Sequence, residues 1–260
     1  MRLTAWITAA ILLITAQAAA ARLSQAADRA FDSYVESVEA GLADHAGGST
    51  NIAAAVRVEP VNGGTREVNG GLLHHWRAAA FVPGASPEEL LVILRDYDHL
   101  ASYYAPDVVT SHSVVADGDS AAVAIRFRKH KIVTVVLDTE FQVQSGLTGD
   151  DRGYSYSRST HVWQIDQAGT AHERRRVEGE DDGFLWRLNS YWSFLRMNGG
   201  LLMECEAVSL TRDVPRSLRW LITPIVENLP RASLESTMKA TTNALAARAG
   251  RRFTDEHANR

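Results

Sequence analysis

The 260-residue sequence lacks several features that define particular protein classes. It has a single cysteine, Cys205, which excludes an intramolecular disulfide and any cysteine-rich metal motif. A formal net charge of −4 gives no strongly basic balance and argues against nucleic acid as a partner. The sequence also has no zinc-enzyme histidine spacing, no Gly-x-Ser-x-Gly elbow and no phosphate-binding loop. We therefore expect no metal, no cofactor and no catalytic residue of a familiar motif.

The sequence has few long apolar runs, and the one at the amino terminus is short. Arg2 supplies a positive start, Ala5 to Thr15 is apolar but short for a bilayer, and Ala16-Gln17-Ala18 is a small-x-small cleavage site. We predict a secretory signal peptide over residues 1–21, cleaved after Ala18. This places the protein in the periplasm of a bacterium or outside the cell. An uncleaved membrane anchor is the alternative interpretation.

Residues 22–71 are predicted to form a helix and a linker ahead of the main domain. Apolar residues recur at spacings of three and four from Leu23 to Leu42, which is typical of an amphipathic helix. Residues 51–71 contain Asn62-Gly63-Gly64 and Asn69-Gly70-Gly71, which predict a short hairpin or a weakly ordered linker. The main domain is predicted over residues 72–248, followed by a polar tail at residues 249–260.

The main domain opens with a strand and a well-marked helix. The strand runs from Leu72 to Val82, and Ser86-Pro87-Glu88-Glu89 then provides an N-cap, a proline at the first helical position and two acids in the first turn. A short second helix is expected around Asp98 to Tyr104, followed by several strands with period-two alternation. The last part of the chain is helical, with Pro224 and Pro230 expected to kink or divide it.

The most informative stretch runs from Gly183 to Arg212 and predicts a long β-hairpin with its turn at Asn198-Gly199-Gly200. Bulky residues alternate along one face of the first arm and smaller ones along the second. These residues are Phe184, Trp186, Leu188, Ser190, Trp192 and Phe194, then Met203, Cys205, Ala207 and Ser209. Large side chains opposite small ones leave room above the sheet. We expect Cys205 to be a small core residue, and Glu204 and Glu206 to lie on the other, solvated face.

Part of this sequence resembles a known family. Phe81-Val82-Pro83-Gly84, the segment from Pro87 to Tyr97 and the segment from Tyr104 to Val108 resemble START-type domains. These belong to the SRPBCC superfamily, which includes polyketide cyclase/dehydrase and coenzyme-Q-binding members. The resemblance covers roughly residues 72–248 and implies an α+β helix-grip fold. In that fold a curved seven-stranded antiparallel sheet wraps around a long C-terminal helix, with two short helices after the first strand, and encloses an apolar cavity.

The predicted cavity lies between the sheet and the C-terminal helix. Its walls are Phe127, Leu137, Phe141, Trp186, Trp192, Phe194 and Met203, and its lid is Leu234, Met238 and Leu245. The hydroxyls of Ser190 and Ser209, embedded in apolar faces, would orient the polar end of a ligand. We therefore expect an exported binding protein for a hydrophobic small molecule of the lipid, isoprenoid quinone or polyketide type.

Two other functions stay open at this point. A cyclase or dehydratase would need an acid or base in the cavity, and His74, Tyr154 and Tyr156 are the candidates. A hydrogen-bonded histidine at the cavity edge is the simpler explanation of His74. A protein-binding module would instead use an exposed face of the sheet together with the amino-terminal helix.

A transient contact with a membrane surface is suggested by one segment of the C-terminal region. Trp220-Leu221-Ile222 is flanked by Arg216 and Arg219, a combination that suits an anionic lipid surface near the cavity mouth. Core packing of the same helix face is the alternative.

Overall fold

The computed structural model describes residues 21–45, 55–130, 134–213 and 219–258. The strands are β1 (Ala21–Arg22), β2 (Arg57–Val68), β3 (Gly71–Pro83), β4 (Val108–Asp117), β5 (Ser120–His130), β6 (Thr134–Leu147), β7 (Arg152–Asp166), β8 (Arg174–Arg175), β9 (Glu180–Asp181), β10 (Arg187–Met197) and β11 (Gly200–Thr211). The α-helices are α1 (Gln25–His45), α2 (Pro87–Leu94), α3 (Leu100–Tyr104) and α4 (Arg219–Ala258), with a 3-10 turn at Tyr97–His99. Among these residues, no helix is long and apolar enough to cross a membrane.

The main sheet is antiparallel and open, with the strand order β2-β3-β11-β10-β7-β6-β5-β4. The short strand β8 pairs with the end of β7, and β1 pairs with β9. Helix α4 packs on one face through Leu234 and Met238, and α1 packs on the other through Phe31 and Val35. We call these the α4 face and the α1 face. This arrangement confirms the predicted α+β helix-grip fold.

Helix α2 begins where the sequence places it. Ser86 Oγ accepts a hydrogen bond from the Glu89 amide at 3.3 Å, and the Glu89 carboxylate accepts one from the Ser86 amide at 2.9 Å. Pro87 occupies the first turn, where its missing amide hydrogen is not needed. The helix buries Leu90, Leu91 and Ile93 against the α4 face. The capping box therefore fixes where these apolar side chains meet the sheet.

The central hairpin also forms as predicted, with Asn198 and Gly199 at positive φ in its turn. Trp192 lies opposite Cys205, and Ser190 lies opposite Ala207. Cys205 is 2 % exposed, and its burial raises the pKa of the thiol, which confirms it as a small core residue.

Among the described residues, the main sheet has eight strands in its linear order and β8 beside β7 as a ninth, so the prediction of seven was wrong. The additional strand in the linear order is β2, which lies in the segment predicted to be a hairpin or linker. Asn62-Gly63-Gly64 does not turn the chain, because the register of β2 against β3 shifts between Pro60 and Thr65 and then continues. The three residues have positive φ and form an irregularity within the strand, where a Cβ on Gly64 would lie 2.9 Å from the Trp76 ring. Gly70, also at positive φ, makes the turn into β3.

Helix α4 is continuous in secondary structure from Arg219 to Ala258, so the chain is not divided at Pro224 or Pro230, and a kink at these prolines stays a prediction. A proline removes only one amide donor, and the 40-residue helix runs through both prolines. The helix also extends through most of the segment predicted to be a polar tail. Its buried positions Leu234, Met238 and Leu245 recur at helical spacing and face the sheet.

Candidate functional site

The α4 face has two parts, and the first is a hydrophobic core that we call the packed cluster. It joins β3, β10 and β11 to helices α2 and α4. Its buried members are Ala78, Ala80, Val82, Ala85, Leu90, Leu91, Ile93, Trp192, Phe194, Leu201, Met203, Cys205, Leu234, Met238 and Leu245. Six of the predicted wall and lid residues belong to it, and Met203, Met238 and Leu245 have no exposed surface. These six side chains therefore lie within one buried hydrophobic cluster.

The second part of the α4 face carries a row of small hydroxyl side chains. We call Ser157, Ser159, Ser190 and Ser209 the hydroxyl band. Ser157 and Ser190 lie opposite each other on β7 and β10, with their oxygens 2.8 Å apart. Ser159 accepts the Leu188 amide hydrogen at 2.9 Å, and Leu188 lies opposite Ser209. Three neighbouring strands therefore present hydroxyl groups side by side.

An aromatic cluster adjoins the hydroxyl band on β5 and β6. Phe141 lies opposite Ser159, and its ring meets Phe127 edge to face at a centroid distance of 6.3 Å. Leu137 lies opposite Phe127 and is buried. Phe141 is buried while Phe127 and Leu188 are half-buried, so this part of the face is less completely covered than the packed cluster. Apart from Trp186, the predicted site residues thus divide between a core and a hydroxyl-lined aromatic surface.

Several buried polar atoms on this face have no hydrogen-bond partner among the described residues. They are Thr139 Oγ1, Ser111 Oγ and Trp76 Nε1. Thr139 is 1 % exposed and lies opposite Ile125, which in turn lies opposite Ser111. A buried hydroxyl without a partner costs roughly 1–3 kcal/mol. A ligand or a bound water would provide the missing partner.

His74 lies at the edge of the same face and is fully buried. Its Nδ1 is 3.0 Å from Thr65 Oγ1, and its Nε2 is 3.0 Å from Thr211 Oγ1. Burial lowers the pKa of the imidazole to about 4, so His74 is neutral at pH 7. This agrees with a hydrogen-bonded histidine, because both ring nitrogens already have partners.

Trp186 does not lie on the α4 face, and its assignment to the cavity wall was wrong. Strand β10 begins at Arg187, so the period-two pattern does not extend back to this residue. Trp186 packs beside Phe31 and Tyr191 under α1, and its indole N–H donates to Asp181 at 3.1 Å. The bend before β10 therefore carries this ring to the α1 face.

Tyr154 and Tyr156 are also on the α1 face, opposite Ser193 and Tyr191 of β10. The sequence predicted both tyrosines, together with His74, as candidate acids or bases in the cavity. The sheet separates them from that histidine, because residues one position apart on a strand point to opposite faces. The three candidates therefore do not form one site.

The α1 face carries polar residues that the sequence interpretation missed. Arg187 bonds Asp28 at 2.5 Å and Asp32 at 2.9 Å, and Arg158 bonds Glu39 at 2.6 Å. The three acids recur on α1 at spacings of four and seven, beside the apolar stripe. That periodicity was the available signal for a helix that docks on basic strands.

Glu206 was expected to be solvated, and that expectation was wrong. Glu206 is 7 % exposed, and its carboxylate accepts hydrogen bonds from His75 Nε2 and Arg77 Nε, both at 2.8 Å. Burial alone would raise the pKa of Glu206, but the bonds from His75 and Arg77 outweigh it and hold the pKa below its usual value. Tyr34 of α1 bonds the other ring nitrogen of His75 at 2.9 Å. This chain of polar groups ties α1 to the sheet.

A small pocket lies beside this chain, lined in part by Tyr34, Asn62 and His75. Its volume is about 10 Å³, which is room for one water molecule. A ligand of lipid size does not fit there.

The predicted membrane contact falls outside what the structure describes. Arg216 is not among the described residues, and the side chains of residues 219–222 are not described.

No family model and no curated protein sequence matches the chain. Many solved structures are similar to it at low identity, and three of them illustrate the likeness. A STAR-related lipid transfer protein fragment from Xanthomonas axonopodis is 18 % identical, with 75 % of this chain and 96 % of that chain covered and a TM-score of 0.49. The aromatase/cyclase Zhui from Streptomyces sp. R1128 is 11 % identical, covering 70 % and 96 %, with a TM-score of 0.44. A START superfamily protein from Mycobacterium smegmatis is 12 % identical, covering 66 % and 97 %, with a TM-score of 0.45.

Identities this low carry no function from one protein to another. The architecture itself is clear from the strand order, the short helices after β3 and the long C-terminal helix on one face of the sheet. On these features the chain has the helix-grip fold of START-type domains.

Proposed function

We propose that the protein binds a hydrophobic small molecule on the α4 face, against the aromatic cluster and the hydroxyl band. The observation that carries this proposal is the buried Thr139 hydroxyl, which has no partner among the described residues and lies on the same face as Phe141 and Phe127. Apolar walls with a few polar groups are the usual composition of a small-molecule site. The aromatic rings would supply most of the binding energy, and the hydroxyls would orient the ligand.

The proposed activity is binding without chemistry. His74 uses both ring nitrogens in hydrogen bonds to threonines, and Cys205 is buried with a raised thiol pKa. Tyr154 and Tyr156 lie across the sheet from His74. Binding of a lipid, an isoprenoid quinone or a polyketide-like molecule needs none of these groups to react.

The test is a titration of the purified full chain with a neutral fluorescent lipid analogue. Phe127→Ala should weaken binding about tenfold or more, because an aromatic side chain that a ligand covers contributes roughly 1.5–3 kcal/mol. Phe184→Ala is the matched control, since that ring is 42 % exposed and precedes β10. Saturable binding with an effect confined to Phe127 supports the proposal. Absence of saturable binding to the wild-type protein would refute it.

Export to the periplasm or beyond is a second part of the proposal. It is supported by the positive Arg2, the short apolar run and the Ala16-Gln17-Ala18 site. It is also supported by the pairing of Ala21–Arg22 with Glu180–Asp181, which brings residues 21 and 22 into the folded domain just after that site. Mass spectrometry of the protein recovered from a bacterial periplasm should find an amino terminus after Ala18. Retention of Met1 in a cytoplasmic fraction would contradict export.

A transient contact with an anionic membrane surface through Trp220-Leu221-Ile222 stays a prediction. Liposome flotation of wild type and of an Arg216→Glu/Arg219→Glu variant measures it. Equal flotation of both proteins would count against a membrane role.

A further inference from the structure

We infer that the ligand carries an uncharged polar end, a hydroxyl or carbonyl group, which lies on the hydroxyl band. This inference rests on the proposed function and specifies its ligand class. It follows from which polar groups the α4 face presents and which ones the sheet keeps on the α1 face.

The polar groups of the hydroxyl band and the aromatic cluster are neutral, and Arg95, which bonds Ser145 of β6, is paired with Asp119. Ser157 and Ser190 contact each other, and Ser159 and Ser209 extend the row on both sides. The buried Thr139 hydroxyl, unpartnered among the described residues, adds a neutral group beside the aromatic cluster. A hydroxyl can donate and accept, so it can bind either a carbonyl or an alcohol. The imidazole at the edge of the face is neutral as well.

The charged side chains of the same strands lie on the other face. Arg158 and Arg187, on the two strands that carry most of the band, bond acids of α1. Glu206, on the third strand, bonds His75 and Arg77. Each of these charges is therefore both turned away from the band and neutralised by a partner.

The strands of the aromatic cluster follow the same rule. Arg126 bonds Asp138 directly across β5 and β6, one position away from the Phe127–Leu137 pair and hence on the α1 face. At the end of β5, Lys129 bonds Asp107 at the rim. No described side chain of the hydroxyl band or the aromatic cluster carries a formal charge at pH 7.

A charged headgroup would be poorly accommodated on such a surface. Moving a carboxylate from water to a buried site without a charged partner costs several kcal/mol. The same transfer costs a hydroxyl or carbonyl group little free energy when it forms one hydrogen bond in the site. We expect a neutral ligand to bind at least about tenfold more tightly than an anion of the same chain length.

The experiment compares three probes of one chain length by displacement of the neutral fluorescent lipid analogue at pH 8. The probes are 1-dodecanol, dodecanoate and dodecane. Dodecanol should displace the analogue at concentrations at least about tenfold below those of dodecanoate. Dodecanoate that binds as well as dodecanol overturns the inference and leaves the proposed function standing. Failure of the analogue itself to saturate the protein is the separate result that refutes the proposed function.

Serine variants separate recognition of the polar end from simple partition into an apolar site. Ser157→Ala/Ser190→Ala should weaken dodecanol about fivefold, as loss of one hydrogen bond predicts, and leave dodecane unchanged. Thr139→Val is a second variant with the same expectation. Ser193→Ala, on the α1 face of β10, is the matched control and should change neither probe. Equal losses for dodecanol and dodecane, or no loss for either, would show that the hydroxyls do not contact the ligand.

Discussion

The two faces of the sheet are covered by helices that are held in different ways. On the α4 face, α4 packs through Leu234, Met238 and Leu245 against apolar side chains of β3, β10 and β11. On the α1 face, α1 adds to its apolar stripe a set of ion pairs with Arg158 and Arg187. Because successive residues of a strand alternate between faces, one sequence can keep its charges on the α1 face and its neutral groups on the other.

This difference shows how a sheet can support a helix and a ligand site at once. The exposed ion pairs of α1 contribute little each, since such pairs are typically worth 0–1 kcal/mol. Their larger effect is on placement, because arginines that bond acids of α1 are held away from the hydroxyl band. We therefore expect salt and acid to weaken the α1 face and to leave the packed cluster unchanged.

The largest effect is expected on the α4 face. Trp192→Ala should lower the free energy of unfolding by ~3–5 kcal/mol, because the ring is 6 % exposed and packs in the same cluster as Met238. Urea unfolding at low and high salt should give the same loss. Trp163→Ala is the control, since that ring is half-buried and stacks on His161 and Arg175.

A small loss for Trp192→Ala, together with weaker binding of the fluorescent analogue, would contradict this prediction. It would place Trp192 at the ligand surface and remove the distinction between the packed cluster and the hydroxyl band.

A medium effect is expected from the buried carboxylate of the α1 face. Glu206→Gln should cost ~1–3 kcal/mol at pH 7, because it removes the charge that His75 and Arg77 bond. The folded-state pKa of Glu206 lies below its usual value, so its contribution is complete above the unfolded pKa and is lost as the pH falls through the folded one. Lowering the pH from 7 to 3 should therefore reduce the free energy of unfolding, measured in urea, more for wild type than for the variant.

Glu39 is a second carboxylate that should make the stability of the α1 face sensitive to acid. Burial alone would raise its pKa, but the bonds from Arg158 and Tyr191 hold it below the usual value. Glu39→Gln should therefore also reduce the acid sensitivity of unfolding. Identical acid sensitivity in wild type and both variants would show that these two carboxylates do not control the stability of the α1 face.

Much of the fold follows from local sequence signals. The Ser86 capping box and the Asn198-Gly199 turn are short-range features whose geometry depends on neighbouring residues, so the sequence predicts them directly. Period two also places Trp192 and Phe194 on the α4 face. The eighth strand was missed because a Gly-Gly irregularity within a strand has the same composition as a turn.

The candidate site was less predictable because it depends on contacts distant in sequence. Whether Trp192 lines a cavity or fills a core depends on the position of α4, which period two does not specify. Glu206 looked solvated because its partners, His75 and Arg77, are about 130 residues away. Trp186 was misplaced because the pattern does not reveal where β10 begins.

The smallest effect is expected from the ion pairs of α1 near the surface. Arg187 bonds Asp28 and Asp32 while its guanidinium lies 5.0 Å from the centre of the Phe31 ring. The three charged side chains are each more than a quarter exposed, so Arg187→Gln should cost about 1 kcal/mol or less at low salt. At 1 M salt the screening length falls to about 3 Å, and most of the difference from wild type should disappear.

Arg128→Gln, which removes the same charge from an exposed position on β5, is the control for net charge. Amide hydrogen exchange can localise the effect, since faster exchange in α1 with no change in α4 is expected for Arg187→Gln alone. Equal acceleration in both helices would mean that the two faces are not independent. Charge on the α1 face would then also affect the surface that we assign to the ligand.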